Sequence, residues 1–232
     1  MLSLVQMTYK CKYCNKEFAR ETTLMSHMCE RKRRVLAKDE KQNRIAYQSW
    51  LLYRRLSMAN VKHDKPYEDF VDNSLFTGFM KLAKYMIDMN FEKPEEFVKF
   101  IVMNSVKMHD WTKIFVHQEF VKDKLKTETV DRAIERSLLN MKAWAERTNN
   151  NWQHYFAQVN TVEAVQDIKM GRLSPWCTFA TDQGSRFIDR LEPGQVQELI
   201  DFLNPQAWKA RIKRQQEDAD WVQEVFNKAE IQ

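Results

Sequence analysis

Three of the four cysteines and one of the five histidines in this 232-residue chain fall between positions 11 and 29: Cys11, Cys14, His27 and Cys29. Thiolates and an imidazole are soft donors, and four of them on so short a stretch make the closed set that structural zinc requires, with no position left for a substrate. Phe18 and Leu24 lie between the two halves of the set and make a core too small to hold without a metal, so the ion is expected to fold the segment.

The order Cys11-x2-Cys14-x3-Phe18-x5-Leu24-x2-His27, with Tyr9 as the aromatic residue before the first Cys, resembles the zinc finger of the two-cysteine, two-histidine type, in a variant whose last ligand is a cysteine. The resemblance covers residues 8–29 and implies a ββα-like fold, with a hairpin carrying the Cys-x2-Cys turn and a helix carrying His27. It implies zinc on Cys11, Cys14, His27 and Cys29, and base-facing positions at Arg20, Thr23 and Ser26. This chain departs from the family at its last ligand, because Cys29 stands only two residues after His27. At about 100° per residue, positions two apart face opposite sides of a helix, so the helix is expected to unwind at about His27. The alternative is a three-ligand hairpin completed by an outside group such as His63.

Charge is unevenly spread. The net charge is +5, yet residues 1–62 hold 14 Lys and Arg against 5 Asp and Glu, a balance of +9, and the remainder holds 23 against 27, a balance of −4. Arg31, Lys32, Arg33, Arg34 and Lys38 follow the finger directly, and a local cationic segment is the electrostatic footprint of phosphate contacts. These side chains are expected to grip nucleic acid, DNA rather than RNA. Arg20 offers two hydrogen bonds to a guanine, whereas Thr23 and Ser26 are short and discriminate poorly. One finger spans about three base pairs, so phosphate contacts are expected to supply the affinity.

The rest of the chain reads as helical, with 4 Gly and 5 Pro. Residues 30–58 contain neither Gly nor Pro and are expected to form one long helix, basic at its start and apolar at Ile45, Trp50, Leu51, Leu52, Tyr53 and Leu56. A linker around 61–67 leads to further helices. Their stripes are Leu75, Phe79, Leu82, Ala83, Met86 and Ile87, then Phe97, Val98, Ile101 and Val102 after Pro94. Residues 111–120 and 129–147 follow, the latter with Thr129 as N-cap. Pro193 and Asn204-Pro205 open two more, the last carrying Trp208, Ile212, Ala219, Val222 and Phe226 with Gln215 breaking the row. The expected architecture is mainly α: a zinc finger at 8–29, a basic connecting helix at 30–60 and an all-helical body at 67–232.

Gly78, Gly171, Gly184 and Gly194 stand far apart, which excludes the common phosphate-cradling loops. His63-Asp64 and His109-Asp110 resemble the paired ligands of HD-type metal phosphohydrolases, but no further ligands are fixed, and a non-enzymatic protein is expected. Trp111, Trp152 and Trp176 stand near expected loops, where a ring can stack on bases. MLSLVQMTYK lacks the pattern of a signal peptide, no apolar run reaches the length of a membrane span, and cysteine use fits a reducing compartment. The expected location is the cytoplasm, or the nucleus in a eukaryote. HMCERKRR and the Ser-Pro-Trp segment also look like parts of uncharacterised finger proteins of tailed bacteriophages, which implies a host cytoplasm. The function expected is zinc-dependent DNA binding. The alternative is an adaptor whose body docks a protein of the replication or transcription machinery, with the finger as a staple.

Overall fold

The computed structural model describes residues 8–232, so the signal-peptide reading rests largely on residues 1–7, outside the described residues. Among the described residues the chain is mainly α, with fifteen α-helices, two 3-10 turns and one two-stranded sheet. No helix among them is long and apolar enough to cross a membrane. The chain divides into two compact units, Met1–Lys113 and Ile114–Gln232.

The first unit opens with the antiparallel strands β1 (Tyr9–Lys10) and β2 (Glu17–Phe18), paired Tyr9 to Phe18 and Lys10 to Glu17. Helix α1 (Glu21–Ser26) follows, then α2 (Glu30–Leu36), α3 (Lys41–Ser57), α4 (Tyr67–Val71), α5 (Phe76–Asp88) and α6 (Pro94–Met103). The single helix expected over 30–58 is therefore two, α2 and α3. The break coincides with an acidic pair. Asp39 and Glu40 place two negative charges where a helix N-terminus stabilises them, and Glu40 takes the extended backbone of an N-cap, within 3.3 Å of Asn43 Nδ2.

Helix α3 packs against α5 and α6, which sets the core of the unit. Phe70 and Phe79 are fully buried there, with Phe70 5.4 Å from Trp50 and 4.9 Å from Phe76, and Phe79 5.0 Å from Trp111, measured between ring centres. Aromatic pairs at such distances add about 0.5–1.5 kcal/mol each beyond their buried area. The expected stripe of α5 holds for Phe79, Leu82, Ala83 and Met86, all buried, and Pro94 opens α6 at its first turn. Trp111 is buried in this core and offers no face for a base.

The second unit runs α7 (Ile114–Thr127), α8 (Val130–Thr148), α9 (Tyr155–Gln158), α10 (Thr161–Lys169), α11 (Pro175–Phe179), α12 (Asp182–Ile188), α13 (Pro193–Leu199), α14 (Pro205–Arg214) and α15 (Gln216–Lys228). Thr129 stands at the N-cap position of α8 as expected, though its side chain makes no capping bond. Asn204 does cap α14, accepting from the Ala207 amide at 3.0 Å. The helix expected to run through Gln215 is split there into α14 and α15, because Gln215 leaves the helical region (φ −118°, ψ 53°). Trp176 is fully buried against Trp208 (5.6 Å), a second correction to the stacking candidates, and Trp152 is half-buried beneath Lys142.

Beneath α8 lies a buried ion pair that no local pattern announces. Arg136 donates to Glu128 at 2.5 and 3.0 Å, Glu128 also accepts from the Ser174 hydroxyl at 3.3 Å, and Asp167 accepts from the Tyr155 hydroxyl at 2.9 Å. Charges of this kind stay buried only when paired and hydrogen-bonded, and these are paired, although the buried Nε of Arg136 has no hydrogen-bond partner.

Candidate metal centre

The turn after β1 is shaped by backbone hydrogen bonds. The Cys11 amide donates to the Lys16 carbonyl at 2.9 Å, and the Asn15 amide donates to the Cys11 carbonyl at 2.8 Å. Asn15 takes a left-handed conformation (φ 60°), which Asn tolerates better than most residues. Cys11 and Cys14 are thereby held on one side of the hairpin, Cys11 buried and Cys14 exposed.

Helix α1 stops at Ser26, and His27 has an extended backbone (φ −69°, ψ 123°) with its amide bonded to the Leu24 carbonyl. The expected unwinding at His27 is thus present. It releases the chain so that Cys29, only two residues on, returns to the same side as His27. Cys29 is also the N-cap of α2, its sulfur accepting from the Lys32 amide at 3.4 Å. One residue therefore ends the finger and starts the next helix.

One ligand atom from each of Cys11, Cys14, His27 and Cys29 lies within 4.8 Å of every other, the one such cluster of metal-ligating side chains among the described residues. Cys14 Sγ and His27 Nε2 are 3.3 Å apart, close to the edge of about 3.5 Å that tetrahedral Zn–S and Zn–N bonds impose. His63 is not in the cluster. The Phe18 ring packs on the His27 imidazole, with ring centres 4.8 Å apart.

No protein-family model, no curated protein and no solved structure matches the chain. The chemistry of the site therefore rests on its own geometry.

The thiols respond to their surroundings in opposite senses. Amides of Cys14 and Tyr13 directed at the Cys11 sulfur lower its pKa below the ordinary thiol value. For Cys14 the Lys16 amide pulls the same way, yet loss of water and the neighbouring sulfurs of Cys11 and Cys29 leave its pKa raised. Several sulfurs crowded together resist ionising together, and a divalent cation at their centre removes that resistance. The four side chains fit a structural zinc ion, which would supply folding energy to residues 8–29 and leave no open coordination position for catalysis.

The expected nucleic-acid contacts fall into two groups. Arg20, Thr23 and Ser26 are exposed on and beside α1, as is Arg33 on α2. Lys38 is exposed with its ammonium 5.9 Å from the centre of the Tyr67 ring. The other three are engaged within the unit. Arg31 donates two bonds to Asp72, at 2.8 and 2.6 Å, and a third to the Tyr13 carbonyl at 3.1 Å. Arg34 lies over the Phe76 ring at 4.2 Å, pairs with Glu30 and donates to the Val71 carbonyl at 3.1 Å. Lys32 donates to the His27 carbonyl at 3.0 Å. Three of the five basic residues are thus engaged, with Arg31 joining the finger to the end of α4 and Arg34 joining α2 to α4 and α5.

His63-Asp64 and His109-Asp110 do not converge on a site. Asp64 is held by Arg55 at 2.6 Å, while His109 contacts its own neighbour Asp110 at 3.3 Å.

Proposed function

We propose that this is a zinc-dependent DNA-binding protein without catalytic activity, in which the finger presents Arg20, Thr23 and Ser26 to the polymer while Arg33 and Lys38 meet phosphates. The observation that carries this reading is that Arg20, Thr23 and Ser26 are exposed on and beside α1, a helix that runs directly into His27 of a four-ligand metal cluster. A helix rigidified by a metal loses little conformational freedom on docking, so Arg20 can offer its bidentate fork at small entropic cost. Tight sequence discrimination is not expected from one such helix.

A second reading is supported by Arg31, which joins the Tyr13 carbonyl in the finger to Asp72 at the end of α4. In that reading the finger is a staple that completes the first unit, and the protein serves as an adaptor for a protein partner. The two separate in one experiment. Affinity of the zinc-loaded protein for labelled duplex and single-stranded DNA, measured from low to moderate salt, should fall steeply if phosphates are neutralised, and a chelator should weaken it by removing the contribution of the finger. Absence of binding to either form at low salt rejects the first reading and leaves the adaptor.

A further inference from the structure

A groove of about 660 Å³ runs between α3 and α6 in the first unit. Its α3 wall uses Lys41, Arg44, Ile45, Leu52 and Arg55, all on one stripe of the helix at helical spacing. From residue 41 to residue 55 that stripe extends about 21 Å at 1.5 Å per residue, the axial length of about six phosphates of one duplex strand. Lys99 closes the opposite side, with Pro94 and Glu95 at the start of α6.

Charge distinguishes this groove. Four cations line it against the single carboxylate of Glu95. Arg55 is occupied by Asp64, but Lys41, Arg44 and Lys99 are exposed and have no ion-pair partner among the described residues. This contrasts with Arg31 and Arg34, which the sequence pattern singled out and the fold consumes. Unneutralised cations held along a concave wall repel one another, and a polyanion relieves that repulsion while releasing its own counterions.

We infer that the α3–α6 groove is a phosphate-binding site that tracks one strand of a nucleic acid, through Lys41, Arg44 and Lys99. The inference rests on the DNA-binding reading above and moves most of the phosphate contact from α2 to α3 and α6. Ile45, Leu52 and Pro94 give the groove an apolar floor without an aromatic ring, so it follows a backbone and does not stack bases.

The test compares the zinc-loaded full chain with a K41E/R44E/K99E variant on fluorescein-labelled duplex and single-stranded 20-mers across a salt series. All three side chains are exposed, so the variant should keep the parent's circular dichroism and thermal midpoint. Affinity should drop about tenfold or more at low salt, and the slope of log affinity against log salt should shrink by about two to three. Amine acylation followed by mass spectrometry gives a reading on the unaltered protein, in which DNA should protect Lys41 and Lys99. Unchanged affinity and slope in the variant, with wild-type binding intact and both lysines still reactive, overturns the groove alone. Failure of the wild type to bind any DNA overturns the DNA-binding reading and the groove with it. A nucleoside triphosphate at 1 mM that protects the two lysines as fully as the strand does would reassign the groove to free nucleotides and overturn the strand.

Discussion

Cys29 shows how one side chain can serve two structures, and the two roles can be taken apart. As a metal ligand its sulfur belongs to the cluster with Cys11, Cys14 and His27, and as an N-cap the same sulfur accepts from the Lys32 amide. A Cys29→Ser variant keeps an N-cap acceptor, since Ser caps helices well, but presents a poor zinc ligand. Its zinc affinity should fall by about 100-fold or more in competition with a chromogenic chelator. Cys29→Ala should lose the same affinity and about 1 kcal/mol of cap energy besides, visible as a lower thermal midpoint than that of Cys29→Ser in the metal-free state. Wild-type zinc affinity in both variants would remove Cys29 from the ligand set. At this scale the ligands are legible in the sequence because their chemistry and spacing are local. The long-range partners of Arg31 and Arg34 are not, because Asp72 lies 41 positions from Arg31 and Val71 lies 37 positions from Arg34, beyond any periodic signal.

Among the elements, the finger and the α3–α5–α6 core depend on different forces. Phe18 and Leu24 are only half-buried, so residues 8–29 have little apolar burial to hold them, whereas α3 and α5 bury Trp50, Leu51, Phe79, Leu82 and Met86. Chelation should therefore remove amide-exchange protection from β1, β2 and α1 while α3, α5 and α6 keep theirs. Loss of protection throughout residues 8–113 would show that the metal holds the whole unit. A different constraint joins α11 to α12, where Gly184 sits so close that a Cβ would lie 2.0 Å from the Cys177 carbonyl oxygen. Backbone cannot yield as a side chain does, so Gly184→Ala should cost about 3 kcal/mol, measured as a lower urea midpoint. A midpoint within error of the parent would mean that the two helices can separate freely. Helix positions are legible from stripes and prolines, as α5 and α6 show. The breaks at 37–40 and at Gln215 are less so, because a chain without Gly or Pro can still leave the helix when charge or capping favours it. The acidic pair Asp39-Glu40 was the available signal for the first break.

For the molecule as a whole, the mainly α class follows from apolar stripes at helical spacing in a chain poor in Gly and Pro. The division after Lys113 lacks any such mark, because it reflects which helices share a core and not a change in composition. One buried group gives the second unit a pH dependence of its own. His117 on α7 is buried, and desolvation, reinforced by the charges of Arg172 and Lys124, lowers its pKa from the ordinary 6.5 to about 4. Between those values the unfolded chain binds a proton that the folded unit does not, so stability rises with pH across the window. The stabilising contribution is complete above about pH 6.5 and is lost progressively as pH falls toward 4, by about 2 kcal/mol at pH 5. Urea unfolding of the full chain followed by amide exchange at pH 7.5 and pH 5 should show this loss in Ile114–Gln232. A His117→Phe variant, which carries no proton in either state, should show a flatter profile over the same range, whatever its absolute stability. An equal slope in the variant would place the acid sensitivity on other groups and would mean that His117 reaches water more readily than its burial implies.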